Sequence, residues 1–133
     1  MTLRSERLDI RSSDDVVRVR QLTRTIAIEA GLSLVDQTKI ITAASELARN
    51  TLDYGGGGFV LAELVDGAGR RGVRLTFEDK GPGIPDIETA LKDGFTSGKG
   101  MGLGLGGARR LSNEFFIHSQ PGEGTKVAIA RWR

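Results

Sequence analysis

Gly98, Gly100, Gly102, Gly104, Gly106 and Gly107 fall in one stretch of ten residues, Gly-Lys-Gly-Met-Gly-Leu-Gly-Leu-Gly-Gly. Glycine at this density removes side chains from the backbone and leaves its N–H groups open to an approaching anion. The stretch lies just ahead of a helical segment containing Arg109, Arg110 and Leu111. A glycine loop that feeds a helix N-terminus favours negative charge, because unpaired N–H groups and the helix dipole act together. A flexible linker has the same composition, so the meaning of the stretch depends on what lies upstream.

The 133 residues are enough for one domain, 1–133, with its own core. Aromatic residues are only 5% of the chain, which leaves few platforms for stacking nucleic-acid bases. A net charge of +2, with the basic residues dispersed, makes no nucleic-acid footprint. Without cysteine there is neither a disulfide framework nor thiolate chemistry. No apolar run approaches membrane-spanning length and the first residues carry no apolar signal segment, so the expectation is a cytoplasmic protein that does not engage a membrane.

Leu8 and Ile10 alternate with polar neighbours, a short strand signal. Ser12-Ser13-Asp14-Asp15 reads as a helix start, and Gly31 as its stop. Ser33 followed by Asp36 resembles an acidic capping box that opens a second helix. Ile40, Ala44, Leu47 and Thr51 give that helix its apolar face, and Gly55 to Gly58 break it. Strands are expected at Phe59–Val65 and Val73–Glu78, joined by a turn from Asp66 to Gly72. A short helix near Ile87–Leu91 follows, and the glycine run feeds a further helix to about Asn113. Phe115–His118 and Thr125–Trp132 close the chain as a hairpin. The order β-α-α-β-β-α-β-β predicts an α/β two-layer sandwich: a mixed, mostly antiparallel sheet with helices on one face.

Glu46 and Asn50 lie four apart on the second helix and so project from one face. An amide oxygen is a hard, neutral ligand for Mg²⁺, and a carboxylate one turn away can take a proton from an attacking hydroxyl. A solvated polar pair has the same spacing. Asp79 ends a strand and is followed by Gly81, Gly83 and two prolines, Pro82 and Pro85. That arrangement holds an accepting carboxylate rigidly where glycines admit a flat ligand, and it suits an exocyclic amine such as that of adenine. It equally describes a tight turn capped by Asp. Two other phosphate loops are ruled out. Only three residues separate Gly94 from Gly98, and Gly100 stands where a P-loop needs Ser or Thr. Gly102-x-Gly104-x-x-Gly107 has dinucleotide spacing but no strand directly before it. His118, the single histidine, falls in a strand without partner ligands and reads as structural. Phe95 reads either as a latch for a lid or as packing against the sheet, and Lys99 as a cation among the glycines.

Taken in order, these blocks resemble the GHKL (Bergerat-fold) ATPases, which include gyrase B, Hsp90, histidine kinases and related serine kinases. Glu46-Leu-Ala-Arg-Asn50 is similar to the N-box and Asp79-Lys-Gly-Pro-Gly83 to the first glycine box. Gly100-Met-Gly-Leu-Gly104-Leu is similar to the second glycine box, and Gly122-Glu-Gly-Thr125 to the last. The resemblance implies ATP and Mg²⁺ as cofactors, Glu46 as general base and Asn50 as the Mg²⁺ ligand. It implies adenine contact by Asp79, supported by Thr125, with Gly81 and Gly83 in the same loop. Lys99, Gly100, Gly102, Leu103 and Gly104 then serve the phosphates. Val35-Asp36-Gln37, Gly81-Pro-Gly-Ile-Pro-Asp-Ile87 and Lys92-Asp-Gly-Phe95 extend the likeness to RsbT-type switch kinases. Members of that family phosphorylate Ser or Thr on STAS-domain partners and then activate a PP2C-type phosphatase. Two rival expectations are an anti-sigma kinase that binds a sigma factor directly and a non-catalytic, ATP-gated binding module. The chain departs from the family at Gly106-Gly107, where Pro-Gly is common, and paired glycines there loosen the phosphate cradle.

Overall fold

The first strand carries charged side chains on both faces, yet its backbone pairs along nearly its whole length. β1 (Thr2–Ile10) runs antiparallel to β2 (Gly58–Gly67), from Arg4 opposite Leu64 to Ile10 opposite Gly58. The computed structural model describes residues 1–91 and 104–133. The remaining elements are α1 (Ser13–Glu29), α2 (Leu34–Asp53), β3 (Arg70–Asp79), α3 (Ile87–Ala90), α4 (Leu105–Arg110), β4 (Glu114–Gln120) and β5 (Gly124–Trp132). The five strands lie in the order β1-β2-β3-β5-β4, and every pairing is antiparallel, so the sheet expected to be mixed and mostly antiparallel is antiparallel throughout.

Side chains alternate across a strand, so one face of this sheet collects the apolar positions. Val60, Ala62 and Leu64 stand opposite Phe77, Leu75 and Val73, and these pair in turn with Val127, Ile129 and Arg131. All but Arg131 are buried, and α1 and α2 cover them with Val19, Ile26, Ile40, Ala44 and Leu47. Each large apolar side chain so buried stabilises the fold by about 1.5–3 kcal/mol. Asp79 and Thr125 continue the same alternation at the end of the ladder, where they face one another. The inward face of the sheet therefore ends in polar groups.

Caps set the two long helices. The Asp15 carboxylate accepts the N–H groups of Arg11 (2.8 Å) and Ser12 (3.2 Å) at the start of α1. The Arg11 bond first, then the Arg18 side chain, and last the Ser12 bond hold Asp15 below the usual carboxylate range. Ser33 accepts the Asp36 N–H at 3.1 Å and starts α2, as its spacing predicts. Asp36 does not close the capping box on its own helix. Its carboxylate is taken by Arg131 of β5, at 2.9 and 3.3 Å.

The short helix expected near Ile87–Leu91 and the further helix after the glycine run are both present, as α3 and α4, so the element order holds two helices between β3 and β4. The helix expected to run to about Asn113 stops at Arg110, with Leu111 as its cap. Asn113 is captured by the sheet instead: its N–H bonds the Ala130 carbonyl (2.8 Å) and its side-chain oxygen accepts the Trp132 N–H (2.7 Å).

Candidate active site

The site is built along α2. Glu46 and Asn50 share one side of it, and a further turn brings the chain to Tyr54 and Gly55 beside Asp79. Glu46 is exposed, whereas Asn50 is buried, with 7% of its surface accessible. The Asn50 side-chain oxygen is fully enclosed and has no hydrogen-bond partner among the described residues. Buried polar atoms are almost always paired, because an unpaired one forfeits its hydration without return. An enclosed, neutral amide oxygen left open is what a hard cation requires, so the residue present fits Mg²⁺.

Gly104 closes one end of the cluster. Its backbone is left-handed (φ +66°), and a Cβ there would come within 2.5 Å of the Glu46 Oε2. A side chain at position 104 would be strained and would collide with the carboxylate. The end of the glycine run is thus seated against Glu46. At the other end, a Cβ on Gly55 would overlap the Asp79 carboxyl group. Only glycine lets the end of α2 approach that close.

Asp79 accepts the Gly81 N–H at 2.9 Å. Burial pushes its carboxyl above the usual Asp range, and the backbone N–H groups of Gly81 and Thr125 oppose that shift without cancelling it. Thr125 is buried opposite Asp79, and its hydroxyl lies 2.8 Å from that of Ser119. Ser119 also accepts the Ile84 N–H at 2.8 Å. Tyr54 donates its hydroxyl to the Gly83 carbonyl at 2.8 Å, and the Gly122 N–H bonds the Pro82 carbonyl at 2.7 Å. The loop from Gly81 to Ile84 is therefore pinned from α2, β4 and the β4–β5 turn at once.

Glu46, Asn50, Asp79, Gly81, Gly83, Gly104 and Thr125 thus belong to one connected cluster at the end of the inward sheet face. Lys99, Gly100, Gly102, Leu103 and Phe95 lie outside the described residues. His118 stands exposed on the sheet's other face, beside the exposed Phe116 of β4. Tyr54 and Ser119 are site-shaping residues that the motifs did not reveal. The signal for Tyr54 was its place as the single tyrosine between a helix and a glycine turn. A cavity of about 700 Å³ also touches Asp79, but Arg7, Phe59 and Glu78 of the other sheet face form its walls, with the Arg7 guanidinium 3.9 Å from the Phe59 ring centre. It is not the space that Asn50 faces.

Residues 35–132 match the family described as histidine kinase-, DNA gyrase B- and HSP90-like ATPase. The chain belongs to this ATPase family. Within it, the chain is 47% identical over 118 residues, 89% of both chains, to the serine/threonine-protein kinase RsbT of Bacillus subtilis. That identity makes it an RsbT-type member. The fold also matches the RsbU and RsbW domains of a Mycobacterium tuberculosis protein, with a TM-score of 0.66 and 24% identity. That match covers 98% of this chain but spans only 33% of the other. The histidine kinase domain of a blue-light-activated kinase from Erythrobacter litoralis has a TM-score of 0.57 at 20% identity, over 87% of this chain and 59% of its own. No described helix is long and apolar enough to cross a membrane.

Proposed function

We propose that the chain is a cytoplasmic, single-domain, ATP-dependent serine/threonine kinase of a partner-switching pathway. On this reading it phosphorylates a Ser or Thr of a STAS-domain protein and also activates a PP2C-type phosphatase. The enclosed, unpartnered Asn50 oxygen one turn from Glu46 carries the reading, because it has no hydrogen-bond partner among the described residues. Its relation to a kinase 47% identical supports it.

Asp79 accepts a hydrogen bond from the exocyclic amine of adenine, and Tyr54, Ser119 and Thr125 hold the loop that presents it. The pinned loop orients the base before any chemistry occurs. Asn50 would hold Mg²⁺, which neutralises charge on the phosphate oxygens when bound. Glu46 takes the proton of the incoming hydroxyl as the γ-phosphoryl group moves to that oxygen. Gly104, without a side chain, leaves the Glu46 carboxylate accessible.

Incubation with Mg-ATP and a purified STAS-domain protein, followed by mass spectrometry, tests the activity. The expected result is one phosphorylated Ser or Thr on the STAS domain. ATP binding with no phosphorylated residue would contradict the kinase reading and leave an ATP-gated binding module.

A further inference from the structure

α1 carries positive charge that the fold does not use. Arg20 and Arg24 are exposed, sit four apart on one face, and have no ionic partner among the described residues. Like charges at this spacing repel and weaken the helix that bears them. Elsewhere on α1, Asp15 pairs with Arg18 at 2.6 Å, and Glu29 pairs with Arg4. From Val16 to Ile28 the helix has no acidic residue at all.

These arginines flank a groove of about 430 Å³ between α1 and α2, walled by Val17, Gln21, Thr25 and Ile41. Val17, in the groove wall, and Ile28, one turn beyond Arg24 on α1 and outside that wall, are 49% and 58% exposed. Val17, Gln21, Arg24 and Ile28 follow at steps of four, three and four, so they form one stripe about 16 Å long. Apolar ends with cations between them match a helix of three to four turns that carries apolar anchors and acidic residues. A phosphate backbone has the charge but not the apolar anchors.

We propose that the α1–α2 groove docks an acidic amphipathic helix of the phosphatase that the kinase activates. The docking rests on the partner-switching reading above. The groove lies apart from the active site. Asn50 follows Ile41 by nine residues, about two and a half turns, and so points to the opposite side of α2. One surface can then engage the phosphatase while the other transfers phosphate, and the two functions become separable by mutation.

The test uses the full chain as wild type, R20E/R24E and R20K/R24K. Phosphoryl transfer to a purified STAS-domain protein and stimulation of a purified PP2C-type phosphatase are measured side by side. Charge reversal is expected to lower stimulation at least about tenfold and leave transfer within about twofold, with the lysine variant close to wild type. Ile28→Asp, at an exposed position, checks the apolar anchor without burdening the fold and should lower stimulation likewise. Unchanged stimulation by R20E/R24E or by Ile28→Asp would overturn the groove as the docking site, as would equal loss of both activities in a folded variant. Transfer by the wild type without stimulation of any phosphatase would overturn the partner reading, and the groove assignment with it.

Discussion

In the proposed site, Asp79 would cost the fold what it gives the adenine. Its carboxyl is raised above the usual Asp range by burial, so the folded chain binds that proton more tightly than the unfolded chain. As pH rises through the unfolded and then the folded value, the unfolded state loses its proton first, and stability falls across that window. Asp79→Asn removes the penalty, so its urea midpoint at neutral pH should equal or exceed that of the wild type. Adenine nucleotide affinity should fall about 10- to 100-fold for the loss of one charge-assisted bond. Wild-type binding should also weaken on acidification at a higher pH than an ordinary Asp would dictate. Urea unfolding checks the first, and calorimetric titration of both proteins with nucleotide across pH checks the other two. The placement of Asp79 at a strand end and of Asn50 on α2 beside Glu46 was legible in the sequence from the glycines after Asp79 and from helix spacing. Tyr54 and Ser119 were not, because each acts on a backbone atom that lies 29 or 35 residues away.

Single contacts between elements decide where these elements begin and stop. The Ser33 cap was readable because it bonds within three residues. The end of α4 was not, because strand atoms of β5 capture Asn113. Arg131 also escaped a local reading, although its place in the alternation Val127, Ile129, Arg131 marks it as inward-facing. It joins the start of α2 through Asp36 to the end of α4 through the Leu111 carbonyl, at 3.0 Å. Arg131→Ala should destabilise the chain by about 1–2 kcal/mol, allowing for partial solvent screening. The Arg131 bond holds Asp36 below the usual Asp range, so the contribution is full above the unfolded value and is lost as pH falls through the folded one. The difference between mutant and wild-type urea midpoints should therefore shrink in acid. Gly107, within α4, makes the opposite case. A Cβ there meets nothing within 4 Å among the described residues, so Gly107→Ala should stabilise the chain by about 0.5–1 kcal/mol in the same assay.

At the scale of the molecule, the layer arrangement follows from alternation on β2, β3 and β5 and from the apolar stripes of α1 and α2. The placement of β5 between β3 and β4 could not be read from chain order, because hairpin pairing of β4 with β5 leaves open which strand joins β3. Nor did the pattern of β1 reveal its length, since an edge strand keeps charged residues on both faces. What the assembled fold adds is convergence. Gly104, which opens α4, the carboxylate that ends a strand and the acid–amide pair on α2 meet at the polar end of one sheet face. The central claim is that Glu46 at that junction acts in transfer and not in binding. Glu46→Gln keeps the shape beside Gly104 and removes the proton acceptor. Transfer of labelled phosphate from Mg-ATP to a STAS-domain protein should drop at least about 100-fold, while nucleotide affinity stays within about twofold. Transfer by Glu46→Gln at the wild-type rate would contradict the account.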